Sequence, residues 1–397
     1  MFYKKLEGVN KTVNLGSINL EDAAQYYEWL YNPSEATKIV FEKYKPAFEM
    51  PESVDDAKEQ LNEIACKKSY SIYDAVTNRL IGLIGIDGPN MNGIGDIWIK
   101  MDPSISFDKQ IKQGSEAVDT LLSHAFNFLR HNSIHFYAPA FNNQAVAIAE
   151  ESMLNYSGDR KYASRFEGDD YYNESFYQIT KSIYDGKKNI ELANPQNIEK
   201  TIIKRSEVTN LSGTLKGEKV LLINPESLES KIKNHNRTVL AQYLNNPRVS
   251  IPLGEFKTNW NDFTGNRKAT KVQYLIIADS KIIGYIDYFE NSKNNDYTDE
   301  GVFNGTAAWE ILVGDTSYQR QGIGYEASNL FIQELERSGQ FTNMVGRVFE
   351  FNTPSYNLHK KLNFEGYGIQ QEGYFAYGKY NNMTLFQVTP ISRTRKQ

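Results

Sequence analysis

The residues whose types and spacing suggest chemistry are Gln319-Arg320-Gln321-Gly322-Ile323-Gly324. An apolar run, Ala307-Ala308-Trp309-Glu310-Ile311-Leu312-Val313, precedes them and reads as a buried strand carrying one carboxylate. The following segment from Tyr325 to Leu335 places Ala327, Leu330, Phe331 and Leu335 on one helical face. The order is therefore strand, glycine loop, helix. Gly322 and Gly324 allow a tight turn and a close approach of the backbone to a ligand. The first N–H groups of the helix, with its dipole, then form an anion site. No Lys-Ser or Lys-Thr follows the glycines, which excludes the loop that cradles nucleoside triphosphates. An ordinary tight turn is the alternative reading of a glycine pair alone.

These elements sit in a chain of 397 residues, long enough for two domains. The net charge of −5 argues against nonspecific nucleic-acid binding. The single cysteine, Cys66, excludes a disulfide framework and a cysteine cluster for zinc, and reads as a buried structural thiol. His124, His131 and His135 show no ligand spacing shared with a carboxylate, so no metal is expected. The N-terminal residues lack the apolar run of a signal peptide, and no segment approaches the roughly 20 apolar residues of a membrane span. A cytoplasmic location follows as the expectation.

The sequence repeats its own plan. Tyr70–Val76 and Leu80–Ile86 read as a hairpin turning at Thr77-Asn78-Arg79; Gln273–Ile277 and Ile282–Tyr288 read as its counterpart, turning at Asp279-Ser280-Lys281. Ile81-Gly82 and Ile283-Gly284 occupy the same place in the two hairpins. The strand with Trp98 answers the strand with Trp309, and the helix read from Ser115 to Arg130 answers the helix after Gly324. Gly114-Ser115-Glu116-Ala117 answers Gly324-Tyr325-Glu326-Ala327 (324 − 114 = 210), and Asn142 answers Asn352 at the same offset. Phe176–Thr180 answers Leu385–Thr389, 209 residues on (385 − 176 = 209). One register held over separated motifs indicates an internal duplication. The expected division is residues 1–185, a linker at 186–205, and 206–397.

Gln-x-x-Gly-x-Gly after a strand resembles the pyrophosphate loop of the GNAT acetyltransferases, and with the duplication most of the chain resembles a tandem GNAT protein. The resemblance implies an α/β (α+β) fold of two domains, each a mixed, mostly antiparallel central sheet flanked by helices. In the order of elements and in Glu-Ala after the loop, the chain resembles the branch that acetylates ribosomal-protein N-termini. In architecture and length it is similar to the tandem self-resistance acetyltransferases of the zwittermicin and paenilamicin type. The resemblance implies acetyl-CoA as cosubstrate. Its diphosphate would lie on Gln319, Arg320, Gln321, Gly322, Ile323 and Gly324. Backbone groups of Ile311, Leu312 and Val313, on a strand splayed from its neighbour, would take the pantetheine amide and thioester oxygen.

Acetyl transfer to an amine also needs a base and an acid. Glu310 is the candidate base, acting directly or through water, with a solvated strand carboxylate as the alternative. The family's second site follows strand five, and Asn352 and Ser355 match it, which implies that they too bind the cosubstrate. His359 stands where the family has a tyrosine as thiolate acid, and Asn363 replaces the usual glycine before Phe364. His359 could donate the proton, bind a phosphate or merely cap a helix face; Tyr356, one turn back, is the other candidate acid.

The first half lacks these groups. Lys112 falls at the place of Gly322, Ile99 or Lys100 at that of Glu310, and Ala149 at that of His359. This half is expected not to catalyse, but to wall the substrate cleft or mediate dimerisation. The polar stretch Glu290–Glu300 reads as a loop that is either exposed or folded over a cationic acceptor. The expected activity is therefore acetyl transfer to a primary amine of a small or peptidic cationic substrate, an antibiotic in the self-resistance case. The rivals are acetylation of a protein N-terminus, a non-catalytic acyl-CoA-binding or interaction protein, and an aminoacyl transferase using charged tRNA. The acidic balance and the glycine loop count against the last.

Overall fold

The computed structural model describes residues 6–7, 12–31, 51–65, 67–90, 92–140, 142–165, 170–186, 200–202, 212–224, 239–240, 242–243, 246, 271–290, 306–339, 341 and 343–389. Cys66, the greater part of the polar stretch Glu290–Glu300 and the last residues of the chain lie outside them. The first half contains β1 (Leu6–Glu7), β2 (Val13–Ser17), α1 (Ala23–Tyr31), α2 (Val54–Ala65), β3 (Ser69–Asp74), β4 (Leu80–Asp87), β5 (Ile94–Met101), α3 (Phe107–Asn127), β6 (Ser133–Pro139), α4 (Asn143–Glu151), β7 (Asn155–Arg165) and β8 (Asp170–Thr180). A short α5 (Lys181–Tyr184) and β9 (Lys200–Ile202) follow; β9 pairs with the start of β8. The second half contains β10 (Thr214–Lys216), β11 (Leu221–Ile223), β12 (Lys271–Ala278), β13 (Lys281–Glu290), β14 (Thr306–Val313), α6 (Ile323–Ser338), β15 (Asn343–Phe349), α7 (Thr353–Lys361), β16 (Glu365–Ala376) and β17 (Lys379–Val388).

The strand orders coincide: β1-β2-β3-β4-β5-β6-β8-β7 in one sheet and β10-β11-β12-β13-β14-β15-β17-β16 in the other. Every described pairing is antiparallel except the central β5–β6 and β14–β15 pairs, which are parallel. Two mixed, mostly antiparallel sheets with helices on their faces are the expected architecture. Each half has its own apolar core. Leu121, Leu122, Ile134 and Ile148 lie in that of the first, and Ala327, Phe331, Leu335 and Phe386 in that of the second.

Both parallel ladders are short. Thr306–Ala308 of β14 pair with Asn343–Val345 of β15, and the strands then diverge. Ile94–Asp96 and Ser133–His135 do the same in the first half. The expected splay is thus present twice.

The helix read as Ser115–Arg130 is longer at its start and shorter at its end, Phe107–Asn127. Arg130 has a positive φ of 59° and cannot continue a helix. At the start, Asp108-Lys109-Gln110-Ile111-Lys112-Gln113 contains no glycine to break the helix. Gln113 donates to Asp74 at 3.0 Å and Lys109 pairs with the same carboxylate at 3.0 Å. The segment matching the glycine loop is therefore helical in the first half.

The halves meet along β7 and β8 on one side and β16 and β17 on the other, with a local two-fold relation. Gln178 accepts from the backbone N–H of Gln371 at 3.0 Å and donates to the carbonyl of Ile369. Its counterpart Gln387 accepts from the N–H of Lys161 at 2.7 Å and donates to the carbonyl of Asp159 at 3.2 Å. The register shift at Tyr156/Gly158 in β7 recurs at Gly366/Gly368 in β16. There the two backbones cross so closely that only glycine fits. A Cβ on Gly158 would lie 1.5 Å from the Tyr367 carbonyl oxygen, and one on Gly368 would lie 2.5 Å from that of Ser157. The seam also buries the Arg160–Glu174 ion pair, with the guanidinium 5.7 Å over the Tyr137 ring. His135, fully buried beside it, is pushed down to about 3 by burial and by the charge of Arg347 from the other half.

We expect Gly368→Val to loosen this seam and cost about 1–3 kcal/mol, as overpacking does. Gly366→Ala, where the new methyl meets only Thr384 at 3.9 Å, is the control. Calorimetric unfolding of both variants checks this; the seam reading fails if both unfold like the wild type.

Candidate active site

The glycine loop begins where β14 ends. A short 3-10 turn, Thr316–Tyr318, is capped by Asp315, whose carboxylate accepts from the Ser317 N–H at 3.0 Å. The Gln319 side chain reaches back to the Val313 carbonyl at 2.8 Å, and that of Gln321 to the Ser317 carbonyl at 2.6 Å. These bonds hold the loop against the end of the strand. Arg320 (φ 63°) and Gly322 (φ 84°) turn the chain into α6 through left-handed backbone. Gly322 is the N-cap of α6 and supplies no side-chain cap. The first N–H groups of a helix have no partner within it. Gln319, Arg320, Gln321 and Gly322 are exposed, and a Cβ on Gly324 would meet nothing closer than Val313 at 3.8 Å. The loop is an open cradle of backbone donors, a geometry that fits a diphosphate.

Ile311, Leu312 and Val313 lie beyond Ala308, where β14 has parted from β15. Side chains alternate across the sheet. Trp309 packs against His359 and Phe364 on the side of α6 and α7, with ring centroids 5.1 and 5.5 Å apart. Leu312 packs on the opposite face with Tyr285, Leu275 and Leu240. Glu310 therefore projects to this second face. It is half-buried, and the Tyr285 hydroxyl donates to it at 3.1 Å. The antiparallel register sets Asp287, fully buried, directly beside Glu310, a neighbour that sequence reading did not single out.

The same register settles the comparison with the first half. Gly82 pairs with Met101 as Gly284 pairs with Val313, so Trp98 occupies the place of Glu310 and Gly85 that of Asp287. The counterpart is Trp98 rather than Ile99 or Lys100, because the two loops differ in length. The Trp98 indole lies over Gly85, within 2.5 Å of where a Cβ would be. An aromatic ring fills the space that two carboxylates occupy in the second half.

Asn352 caps α7, its side-chain oxygen accepting from the Ser355 N–H at 3.2 Å. Asn142 caps α4 in the same way through Ala145 at 3.1 Å. The Asn-to-Ser match is thus also an architectural feature of both halves. Tyr356, in the first turn of α7, is exposed and lies edge-on to Phe386 at 5.3 Å. His359 is enclosed by Trp309, Phe364 and Phe386 at 5.0–5.1 Å between centroids. Its Nδ1 lies 2.9 Å from the Ser355 carbonyl, which can only accept, so Nδ1 carries the proton. Burial pushes its pKa down to about 4. A neutral, enclosed imidazole fits a packing role, whereas Tyr356 is exposed. His124, His131 and His135 are likewise depressed by burial.

A histidine held below its ordinary 6.5 binds its proton more readily in the unfolded chain. The stability it contributes is complete above about pH 6.5 and is lost as pH falls towards 4. His131, also at about 4, and His135, at about 3, act in the same direction. We therefore expect the urea midpoint to fall between pH 7 and pH 5. His359→Asn should lower the midpoint at pH 7 but reduce its drop towards pH 5. An unchanged drop would remove His359 from this account.

Residues 230–365 match the family model described as an acetyltransferase (GNAT) domain. None of the curated proteins matches the chain. Among solved structures, the chain is similar to a GNAT-family acetyltransferase from Bacillus anthracis, with 16% identity, a TM-score of 0.37, and coverage of 45% of this chain and 99% of that one. It is similar to a Salmonella typhimurium acetyl transferase described as modifying the N-terminal serine of the 50S ribosomal subunit protein L7/L12 (16%, 0.35, 44% and 96%). It is also similar to the aminoglycoside acetyltransferase AAC(6')-Ib in complex with coenzyme A (14%, 0.36, 45% and 97%). The matched residues span β12 to α7 and include the glycine loop, Glu310 and the α7 cap, and on that match the chain carries a GNAT-superfamily acetyltransferase domain.

Proposed function

We propose that the second half, residues 206–397, transfers acetyl from acetyl-CoA to a primary amine of a small or peptidic cationic substrate, and that the first half, residues 1–185, does not catalyse. The observation that carries this reading is a coincidence within one half. The open glycine cradle, the parted strands and a half-buried carboxylate beside the gap occur together there. In the first half the loop is helix and the carboxylate is an indole.

Acetyl-CoA would supply the acetyl group as a reactive thioester. The cradle from Gln319 to Gly324 binds the diphosphate. Backbone groups of Ile311, Leu312 and Val313, beyond the end of the ladder to β15, bind the pantetheine arm and polarise the thioester carbonyl. The acceptor enters from the face bearing Glu310, and its ammonium gives a proton to that carboxylate, directly or through one water. The freed amine then attacks the carbonyl held between the strands. As the C–S bond breaks, Tyr356 gives a proton to the departing thiolate on the other face, and the second proton shed by the acylated nitrogen passes to solvent, from which Tyr356 is reprotonated. Asn352 and Ser355 fix α7, and with it Tyr356, while His359 packs α7 against β14.

The seam supports a role for the first half as a wall. Tyr367 of β16 packs on Ala308 and Val345, on the same face as Glu310, and its carbonyl lies against Gly158 of β7. A cytoplasmic location and a peptide or antibiotic acceptor belong to this proposal. Tyr285 and the paired carboxylates favour a cationic acceptor.

Titration with acetyl-CoA tests the assignment. Wild type and Lys112→Glu should bind one equivalent, and Gly322→Glu should bind none. Glu310→Gln should bind the cosubstrate within about twofold of wild type, yet lose about 10²-fold or more in kcat, the range for a general base. Competition between a short N-terminal peptide and a polyamine separates the acceptor classes. Binding that survives in Gly322→Glu would place the cosubstrate elsewhere.

A further inference from the structure

The two halves share a clamp but differ at its tip. In the first half the Glu116 carboxylate accepts from the Thr12 N–H at 3.1 Å and from the Thr12 hydroxyl. This fastens the segment before β2 to α3. In the second half Glu326, at the equivalent place (326 − 116 = 210), accepts from the Lys219 N–H at 2.9 Å and fastens the β10–β11 turn to α6. The clamp is therefore structural, since it persists in the half without a glycine loop. The residue it presents is not the same: threonine stands over the continuous helix, lysine beside the cradle.

The Lys219 side chain extends along the loop. Its Nζ donates to the Gln321 carbonyl at 3.3 Å and stands 3.9 Å from the point where a Cβ on Gly322 would lie. Apart from its chain neighbours, no other described residue comes within 4 Å of that point. An ammonium has three donors, so the bond to Gln321 leaves others for phosphate oxygens. The Glu326 carboxylate is the neighbouring anion, and the Lys219 N–H engages it.

We infer that Lys219 is a cosubstrate-binding residue: its ammonium closes the open side of the glycine cradle and binds the diphosphate of acetyl-CoA. The inference rests on the reading of the loop as the acetyl-CoA site and adds to it a side-chain cation that the fold delivers from a different element. The backbone donors of α6 supply direction, and Lys219 supplies a full positive charge that the helix terminus lacks.

The shared chemistry is a phosphate anion, and acetyl-CoA offers two sources, the 5'-diphosphate and the 3'-phosphate. Dissociation constants of acetyl-CoA, acetyl-3'-dephospho-CoA and S-acetylpantetheine, measured on the full chain for wild type, Lys219→Ala and Lys219→Arg, distinguish them. The first variant should weaken both phosphorylated ligands about tenfold, the loss of one charge-assisted bond. It should leave S-acetylpantetheine unchanged, and Lys219→Arg should recover most of the loss. Unchanged acetyl-CoA binding in Lys219→Ala overturns the inference. A loss seen with acetyl-CoA but not with the dephospho form also overturns it, moving the contact to the 3'-phosphate. Wild type that binds no acetyl-CoA would instead overturn the underlying reading of the loop. Matching thermal unfolding curves for the three proteins exclude misfolding as the cause of any loss.

Discussion

The seam between the halves is the constraint on which the arrangement depends. Gln178 and Gln387 each bond a backbone N–H and a backbone carbonyl of the opposite half. Buried polar groups of this kind are costly unless paired, so the two amides tie β8 to β16 and β17 to β7 in a fixed register. Gly158 and Gly368 then let the backbones cross at a distance that any side chain would forbid. The register of β16 in turn places Tyr367 against Ala308, on the strand that carries Glu310, and against Val345 of the neighbouring strand. The geometry of the candidate acceptor face is thus linked to a contact made by the other half of the chain.

A two-fold seam between two copies of one fold gives each half the same structural support, yet the halves have diverged in their interiors. The first half keeps the sheet order, the parted central strands, the helix cap at Asn142 and the clamp at Glu116. It has lost the cradle by continuing α3 through it, with Gln113 and Lys109 anchoring the added turns to Asp74. It has lost the carboxylate pair to an indole over a glycine. Apart from the parted strands, the parts retained in both halves hold strands and helices together, whereas the cradle and the carboxylates that acetyl transfer would use are confined to the second.

The comparison also sorts the residues of the C-terminal half. Asn352 and Ser355 belong to a helix cap whose counterpart is Asn142 with Ala145 in the first half. His359 belongs to an aromatic enclosure. Glu310 and Asp287 have no carboxylate at the structurally matched positions Trp98 and Gly85, the glycine loop is replaced by helix before Gly114, and Thr12 stands where the second half has Lys219.

The duplication, the strand-loop-helix order and the position of the glycine cradle were legible in the sequence, because each depends on local pattern: alternation and apolar runs in strands, helical spacing after Gly324, and glycines where the chain turns. The two hairpins were legible for the same reason. The pairing of Trp98 with the place of Glu310 was not, since it follows from a ladder register that loop lengths obscure. Nor were the burial of His359, the neighbourhood of Asp287 and the reach of Lys219, which depend on residues far apart in the chain being packed together. The start of α3 was misread because one-to-one alignment with the second half carried a loop onto a segment whose own residues favour helix. The sequence determined which elements form and that they form twice; tertiary packing alone decided which side chains share a face, which are enclosed, and how one half is braced by the other.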